Sequence, residues 1–284
     1  MTKKPFFSII IPALNEEKYL PKLLEDLSKQ TFQDFEVIVV DGKSEDKTVE
    51  LSKMFTPKLP SLTILTSSIR NVSVQRNLGG TKAKSKYLIF NDADNRLPNY
   101  FLEGIRFQLR IHPVDLFTCW TSPETSTKQD KTISTANNML IEASLIANNP
   151  IAPGAMIGCI RKAFLTEKGF DKTVGYGEDA DFVKRCINGG YVYKIFKEPK
   201  YTYSLRRFHS HGAIKTIQKV SVLAIKYLTG QKVDQAIEYP MGGKHLNIKE
   251  NNPDFIQAVQ EKFDEWKNNK KIHKIINSLL DQEE

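Results

Sequence analysis

Two groups of carboxylates in the chain are spaced for chemistry. In "YLIFNDADN", the large apolar run from Tyr87 to Phe90 stops on Asp92 and Asp94, with only Ala93 between them. In "GYGEDADF", Glu178, Asp179 and Asp181 crowd one turn beside two glycines. Residues at i and i+2 of an extended chain point the same way. Asp92 and Asp94 are therefore expected to aim at one spot, about 6 Å apart, and to repel by roughly 3 kcal/mol at an effective dielectric near 20. A divalent cation turns that repulsion into attraction, and magnesium is commonly held by one or two carboxylates with substrate phosphates completing the shell. The alternative is a turn in which both acids only cap the next segment, but their place at the tip of a buried strand favours the cation. In the second cluster the helix dipole accounts for at least one acid. Three in one turn suit a general base that takes a proton from an attacking hydroxyl.

Other residues could join them. Asp41 closes the apolar run "FEVIVVD", where a strand-end acid can accept hydrogen bonds from a base or a ribose; a turn role beside Gly42 is the alternative. Arg76 in "NVSVQRNLGG" could bind a diphosphate, stack on a base or simply be solvated. The first strand is followed by neither GxGxxG nor GxxxxGK[ST], which argues against a dinucleotide site of the usual kind and excludes a P-loop. No Ser-His or Cys-His constellation is evident.

These acids need a rim to stand on. Phe6 to Ile11, Phe35 to Val40 and Tyr87 to Asn91 read as buried strands, and Leu62 to Leu65 as a short third strand. Helices are expected over Asn15 to Gln30, from Ser44 through Phe55, and over Ser73 to Ala83. Such alternation predicts a parallel, doubly wound sheet, whose ligands bind at the carboxyl ends of the strands. Further on, strands are expected over Leu116 to Trp120, Gly154 to Ile160 and Tyr191 to Phe196. Helices are expected over Ile133 to Asn148, near Arg161, and over Asp179 to Asn188. Beyond about residue 205 only helical patterns remain, Ile214 to Leu228 and Pro253 to Leu280. The expected organisation is a sheet domain over 1–205 and a helical extension over 206–284.

The chain has 284 residues, 40% hydrophobic and 26% charged, enough for a sizeable core. Its 41 Lys and Arg against 33 Asp and Glu give a net charge of +8, which suits anionic partners such as nucleotides or phospholipid head groups. Basic residues are not interleaved with aromatics in any compact stretch, so no nucleic-acid partner is expected. Cys119, Cys159 and Cys186 form no CxxC pair, which fits a reducing compartment. The opening "MTKKPFFSIIIPALNEE" is too short for a signal segment, and no run reaches about 18 apolar residues. A cytoplasmic protein is expected. The basic amphipathic stretch Ile214 to Leu228 either packs on the domain or rests on an anionic membrane face. Phe255, Ile256, Val259, Phe263 and Trp266 mark a core or homodimer contact.

Taken in order, "IIIPALNEE", "VIVVDGKSEDKT", "QRNLGG", "YLIFNDADN" and "GYGEDADF" resemble the signatures of glycosyltransferase family 2, over about residues 6 to 205. The resemblance implies a GT-A fold, a mostly parallel Rossmann-like sheet, and inverting transfer from a nucleotide-diphospho-sugar, with UDP the expected nucleotide. It implies a Mg²⁺ or Mn²⁺ cofactor and a glycan or lipid-linked acceptor of the cell envelope. Pro12, Ala13, Asn15, Glu16 and Asp41 match positions that bind base and ribose, and Arg76 one near the diphosphate. Asp92, Ala93 and Asp94 match the ribose and metal motif, with Asp94 the closer ligand. Asp179 matches the base, beside Glu178. Arg206 and Arg207 resemble a pair that closes over the diphosphate, and His209 or His211 could add a metal ligand.

Two rival readings remain from sequence. A sugar nucleotidyltransferase also uses a sheet, paired acids and a nucleotide, but usually carries a basic, Gly-rich loop where this chain has the acidic "PALNEE". A non-catalytic membrane-surface or nucleotide-binding module is compatible with the net charge but leaves two acidic clusters without a purpose.

Overall fold

In a computed structural model, the structure describes residues 4–146, 150, 154–175 and 177–204. The expected extension over 206–284, with Arg206, Arg207, His209 and His211, lies outside the described residues. Among the described residues no helix is long and apolar enough to cross a membrane.

Seven strands form one sheet. They are β1 (Phe7–Ala13), β2 (Phe35–Asp41), β3 (Leu62–Thr66), β4 (Tyr87–Asn91), β5 (Leu116–Ser122), β6 (Met156–Ile160) and β7 (Tyr193–Thr202), in the order β3-β2-β1-β4-β6-β5-β7. The helices are α1 (Leu20–Ser28), α2 (Thr48–Lys53), α3 (Val72–Lys82), α4 (Phe101–Ile111), α5 (Lys128–Ile146), α6 (Arg161–Thr166) and α7 (Glu178–Asn188). The first four strands pair in parallel, in keeping with the largely apolar runs of β1, β2 and β4. Every residue of β1, β2 and β4 is buried.

One face of the sheet carries α1 and α4, with Leu20, Leu23, Leu24 and Leu27 wholly buried against it and Phe101, Leu102 and Ile105 beside them. The other face carries α6 and α7, through Phe164, Phe182 and Val183, and also α3. The glycines of α3 explain how a helix forms there at all. A Cβ on Gly79 would stand 2.4 Å from Ile10 Cγ2, and one on Gly80 would stand 2.5 Å from Phe164 Cζ. The missing side chains let α3 lie directly on the sheet, and α6 lie directly on α3.

Three details depart from the sequence expectation. β6 runs antiparallel to both β4 and β5. The long α5 packs on the carboxyl end of β5, where Asn138 Oδ1 accepts from Thr121 N at 2.8 Å, and returns the chain to the end it left. The helix α4 was not anticipated, because Pro98 and Gly104 interrupt its pattern; Gly104 is there because Pro199 of β7 lies where its Cβ would be. Finally, β7 continues to Thr202, well past Phe196.

The strand order reverses between β1 and β4. There the ladder opens: β1 pairs with β2 as far as Ala13↔Asp41, but with β4 only as far as Ile10↔Phe90. A crevice outside the carboxyl ends of these strands is where ligands of open α/β sheets bind.

Candidate active site

On the β1 and β2 side of the crevice, the chain is shaped by its own short contacts. Asp41 is 3% exposed, and its carboxylate accepts from Lys43 N at 3.0 Å, from Ser44 N at 3.1 Å and from Ser44 Oγ at 2.5 Å. Asn15 sits at φ +57°, a left-handed conformation that asparagine tolerates. Its N–H donates to Ser44 Oγ at 2.9 Å, and its side-chain oxygen accepts from Glu45 N at 2.8 Å. Glu16 is buried, its N–H donating to Thr48 Oγ1, while its carbonyl accepts from the N–H of Leu20 as α1 begins. Pro12 and Ala13 complete β1. Gln75, the first residue of "QRNLGG" but given no role by the sequence, donates through Nε2 to the carbonyls of Ala13 and Val40 at 2.9 and 2.7 Å. It holds the ends of β1 and β2 together. Its position one residue before Arg76 is the only hint of that role in the sequence.

At the end of β4 the backbone turns. Asn95 N approaches Asp92 O at 3.4 Å, and Asp92 N donates to Ala155 O at 2.9 Å. Asp92 and Asp94 are thus on a turn, and the i, i+2 alignment expected of an extended strand does not apply. Ala93 is buried, and Asp92 and Asp94 are half-buried. The wholly buried Asn95 secures the turn, donating from Nδ2 to Ala155 O at 2.6 Å and to Asn91 Oδ1 at 3.1 Å.

The two acidic clusters meet at Arg76. Its guanidinium is 3% exposed, lies 5.2 Å from the centre of the Phe170 ring, and donates to three groups. Nη1 reaches Glu178 Oε1 at 2.8 Å; Nη2 reaches Asp92 Oδ1 at 3.2 Å and Gly154 O at 2.9 Å. Burial opposes a charged guanidinium, but Glu178, Asp92 and Asp179 outweigh it and hold its pKa above the ordinary value. Arg76 was expected beside the diphosphate. Here the guanidinium already donates to Glu178, Asp92 and the Gly154 carbonyl while Nε is buried without a partner, so a phosphate competes with Asp92 and Glu178 for it.

Asp179 stands in the first turn of α7, with Ala180 N donating to its Oδ1 at 2.7 Å. Desolvation pushes its pKa up to about 7, with the neighbouring Glu178 carboxylate adding to the rise and Arg76 opposing it. Gly177 precedes it at φ +80°, a conformation suited to glycine, and sets the angle at which α7 enters the rim. Asp181 turns away and pairs with Arg185 at 2.8 Å.

Among the described residues no three His, Cys, Asp or Glu side chains are grouped to hold a metal by themselves. A magnesium or manganese ion that takes phosphate and water oxygens needs only one or two carboxylates. The Asp92–Asp94 turn offers hard oxygen donors of that kind. Beside it, a cavity of about 360 Å³ opens on the α1 and α4 side, lined by Arg96, Tyr100, Ser122, Glu198, Lys200 and Thr202 among others.

A family model described as "Glycosyl transferase family 2" matches residues 8–165. A PGL/p-HBAD biosynthesis glycosyltransferase of Mycobacterium tuberculosis is 39% identical over 94 residues, 33% of this chain and 37% of its own length. The poly(ribitol-phosphate) beta-N-acetylglucosaminyltransferase TarS of Staphylococcus aureus is 35% identical over 113 residues, 39% of this chain and 20% of its own. The chain thus spans well under half of either relative. The structure of TarS residues 1–349 with UDP-GlcNAc superposes at a TM-score of 0.57 with 20% identity, covering 81% of this chain and 68% of that one. The mannosyltransferase PcManGT of Pyrobaculum calidifontis, in complex with GDP-Man and Mn²⁺, superposes at 0.64 with 19% identity, covering 81% and 64%.

Proposed function

Because the chain belongs to glycosyl transferase family 2, we propose that it moves one sugar from a nucleotide-diphospho-sugar to an acceptor hydroxyl, with inversion at the anomeric carbon. The observation that carries this is the Arg76 bridge. It joins the acid at the end of β4 to the acids at the start of α7, so a donor-side and an acceptor-side carboxylate share one rim.

Pro12, Ala13, Asn15, Glu16 and Asp41 serve the base and ribose of the donor, and Ala93 serves the same donor from the turn after β4. Asp94, with Asp92, would hold Mg²⁺ or Mn²⁺; when bound, that ion neutralises charge on the departing diphosphate. Asp179 takes the proton from the acceptor hydroxyl. The acceptor oxygen bonds to the anomeric carbon as the bond from that carbon to the diphosphate oxygen breaks, and the nucleoside diphosphate leaves with the electron pair. One displacement inverts the centre. A base with a pKa of about 7 is matched to work near neutral pH.

UDP is the proposed nucleotide. Similar proteins have been captured with both UDP-GlcNAc and GDP-Man, so the screen must include both. The proposed acceptor is a lipid-linked or cell-envelope glycan precursor, in keeping with the biosynthetic roles that the relatives' names state. The enzyme would then work in the cytoplasm, on the inner face of the membrane. The nucleotidyltransferase and the non-catalytic module are not carried forward, because membership of a sugar-transferring family accounts for both acidic clusters.

The test is calorimetry with UDP-glucose, UDP-GlcNAc and GDP-mannose, with and without Mn²⁺, followed by nucleoside diphosphate release. Binding of at least one donor that tightens with Mn²⁺ and leads to turnover is the expected result. Formation of pyrophosphate from a nucleoside triphosphate and a sugar phosphate would revive the nucleotidyltransferase.

A further inference from the structure

Gly154 belongs to none of the five signature motifs, yet it touches both charged partners of the site. Its carbonyl accepts from Arg76 Nη2 at 2.9 Å, and it precedes Ala155, whose carbonyl anchors Asp92 N and Asn95 Nδ2. A Cβ placed on Gly154 would stand 2.3 Å from Asp179 Oδ2, 3.2 Å from its Cγ and 3.3 Å from Arg76 Nη2. Asp179 Oδ2 therefore occupies the space that any other residue at 154 would fill. The φ of Gly154 lies outside the left-handed region, so its backbone conformation does not demand glycine. The demand is steric and comes from one carboxylate.

We propose that Gly154 is a positioning residue for the transfer reaction: clamped through its carbonyl by Arg76, it forms the floor on which the Asp179 carboxylate rests and is aimed at the acceptor. This rests on Asp179 being the base and specifies what holds that base in place. Three anchors then fix the carboxylate. Ala180 N bonds to one oxygen, the Gly154 backbone limits the other, and Arg76 holds Gly154 and Glu178 in register with Asp92. A displacement of about 1 Å at a reacting group can cost on the order of 100-fold in rate. A methyl group in van der Waals conflict with Oδ2 must move it by about that much. The atom in the way is the free end of a side chain, so the fold has an inexpensive way to yield.

The experiment uses the full-length chain and, of UDP-glucose, UDP-GlcNAc and GDP-mannose, the donor that binds most tightly. Nucleoside diphosphate release is followed with water as acceptor. Gly154→Ala is expected to keep the wild-type circular dichroism spectrum and a donor KM within about threefold, while kcat falls about 10- to 100-fold. The Gly154→Ala/Asp179→Asn double variant is expected to be no slower than Asp179→Asn alone, because both changes remove the same contribution. A wild-type kcat for Gly154→Ala, or losses that multiply in the double variant, would overturn the proposal. A crystal structure of Gly154→Ala gives a reading independent of turnover: a displaced Asp179 carboxylate upholds the floor, and an unmoved one removes it. Should Asp179→Asn turn over like the wild type, the assignment of the base fails by itself, and the crystal structure still decides the role of Gly154.

Discussion

The two sides of the crevice hold their carboxylates in different ways. On the β1 and β2 side, Asp41 is satisfied within three residues, by Lys43 and Ser44 of its own loop. On the β4 and α7 side, Asp92 and Glu178 are separated by more than eighty residues and share Arg76, which comes from a third element. The first arrangement is a local turn that a short peptide could sketch. The second exists only after the sheet, α3 and α7 have packed. Charge at the second side is therefore a product of tertiary structure, and removing Arg76 leaves Asp92 and Glu178 without their shared cation.

The sharpest way to break the contrast is Arg76→Met, which keeps an unbranched apolar stem and deletes the shared charge. Removing one partner of a buried ion pair typically costs about 3–5 kcal/mol. Because Asp92 and Glu178 keep some solvent contact, the lower end is expected, read as a denaturant midpoint shift with an unchanged slope. Arg76→Lys should recover part of it, since a single ammonium cannot reach three acceptors.

Asp179→Asn separates stability from chemistry. An acid whose folded pKa is about 7, against an ordinary 3.8, holds more protons folded than unfolded between those values. Its contribution to stability is therefore lost as pH rises through that window. The asparagine variant should melt several degrees higher than wild type at pH 8 and much like it at pH 4. Its transfer rate should fall about 10²- to 10⁴-fold, with donor binding intact. In the wild type, kcat should rise with pH up to about 7. A Tm difference that is the same at pH 4 and pH 8 would show that Asp179 titrates normally.

A smaller effect is expected at the turn after β4. Asp94→Asn should lower donor affinity about tenfold in the presence of Mn²⁺ and much less in its absence, because one hard oxygen ligand is weakened. Titration calorimetry with the same donor in both buffers checks this. A comparably small effect, on stability rather than binding, is expected of Asp41→Asn. It turns a carboxylate that accepts several hydrogen bonds into an amide with one accepting oxygen, at a cost of about 1–2 kcal/mol. If Asp41→Asn proved as damaging as Arg76→Met, the distinction between a locally and a globally compensated side would disappear.

How far the residues alone foretold this follows the same division. The central strands of the parallel half were legible because burial on both faces leaves a nearly continuous apolar run, as in Val37 to Val40. The acids were legible because carboxylates at strand ends and helix starts are conspicuous. The partnership at Arg76 was not, because nothing in "QRNLGG" says that the arginine faces inwards; that depends on Gly79 and Gly80 bringing α3 onto the sheet. Gly154 was invisible for a related reason, since its neighbour in space, Asp179, is 25 positions away. The antiparallel β6 was hidden because periodicity carries no strand direction. The apolar run before Asp92 and Asp94 gives no sign of where the backbone bends, so the sequence reads both acids as part of an extended segment. Asn95, three residues on and wholly buried, was the marker of that bend.

The opened ladder between β1 and β4 has a consequence for the empty enzyme. A gap between neighbouring strands invites its own closure, by a residue or two of further zippering. Pro12 has no N–H to offer, so the ladder between β1 and β4 cannot be extended through it. Beyond Ile10 and Phe90 the two strands share no ladder pairing, so a nucleotide entering there does not have to part them.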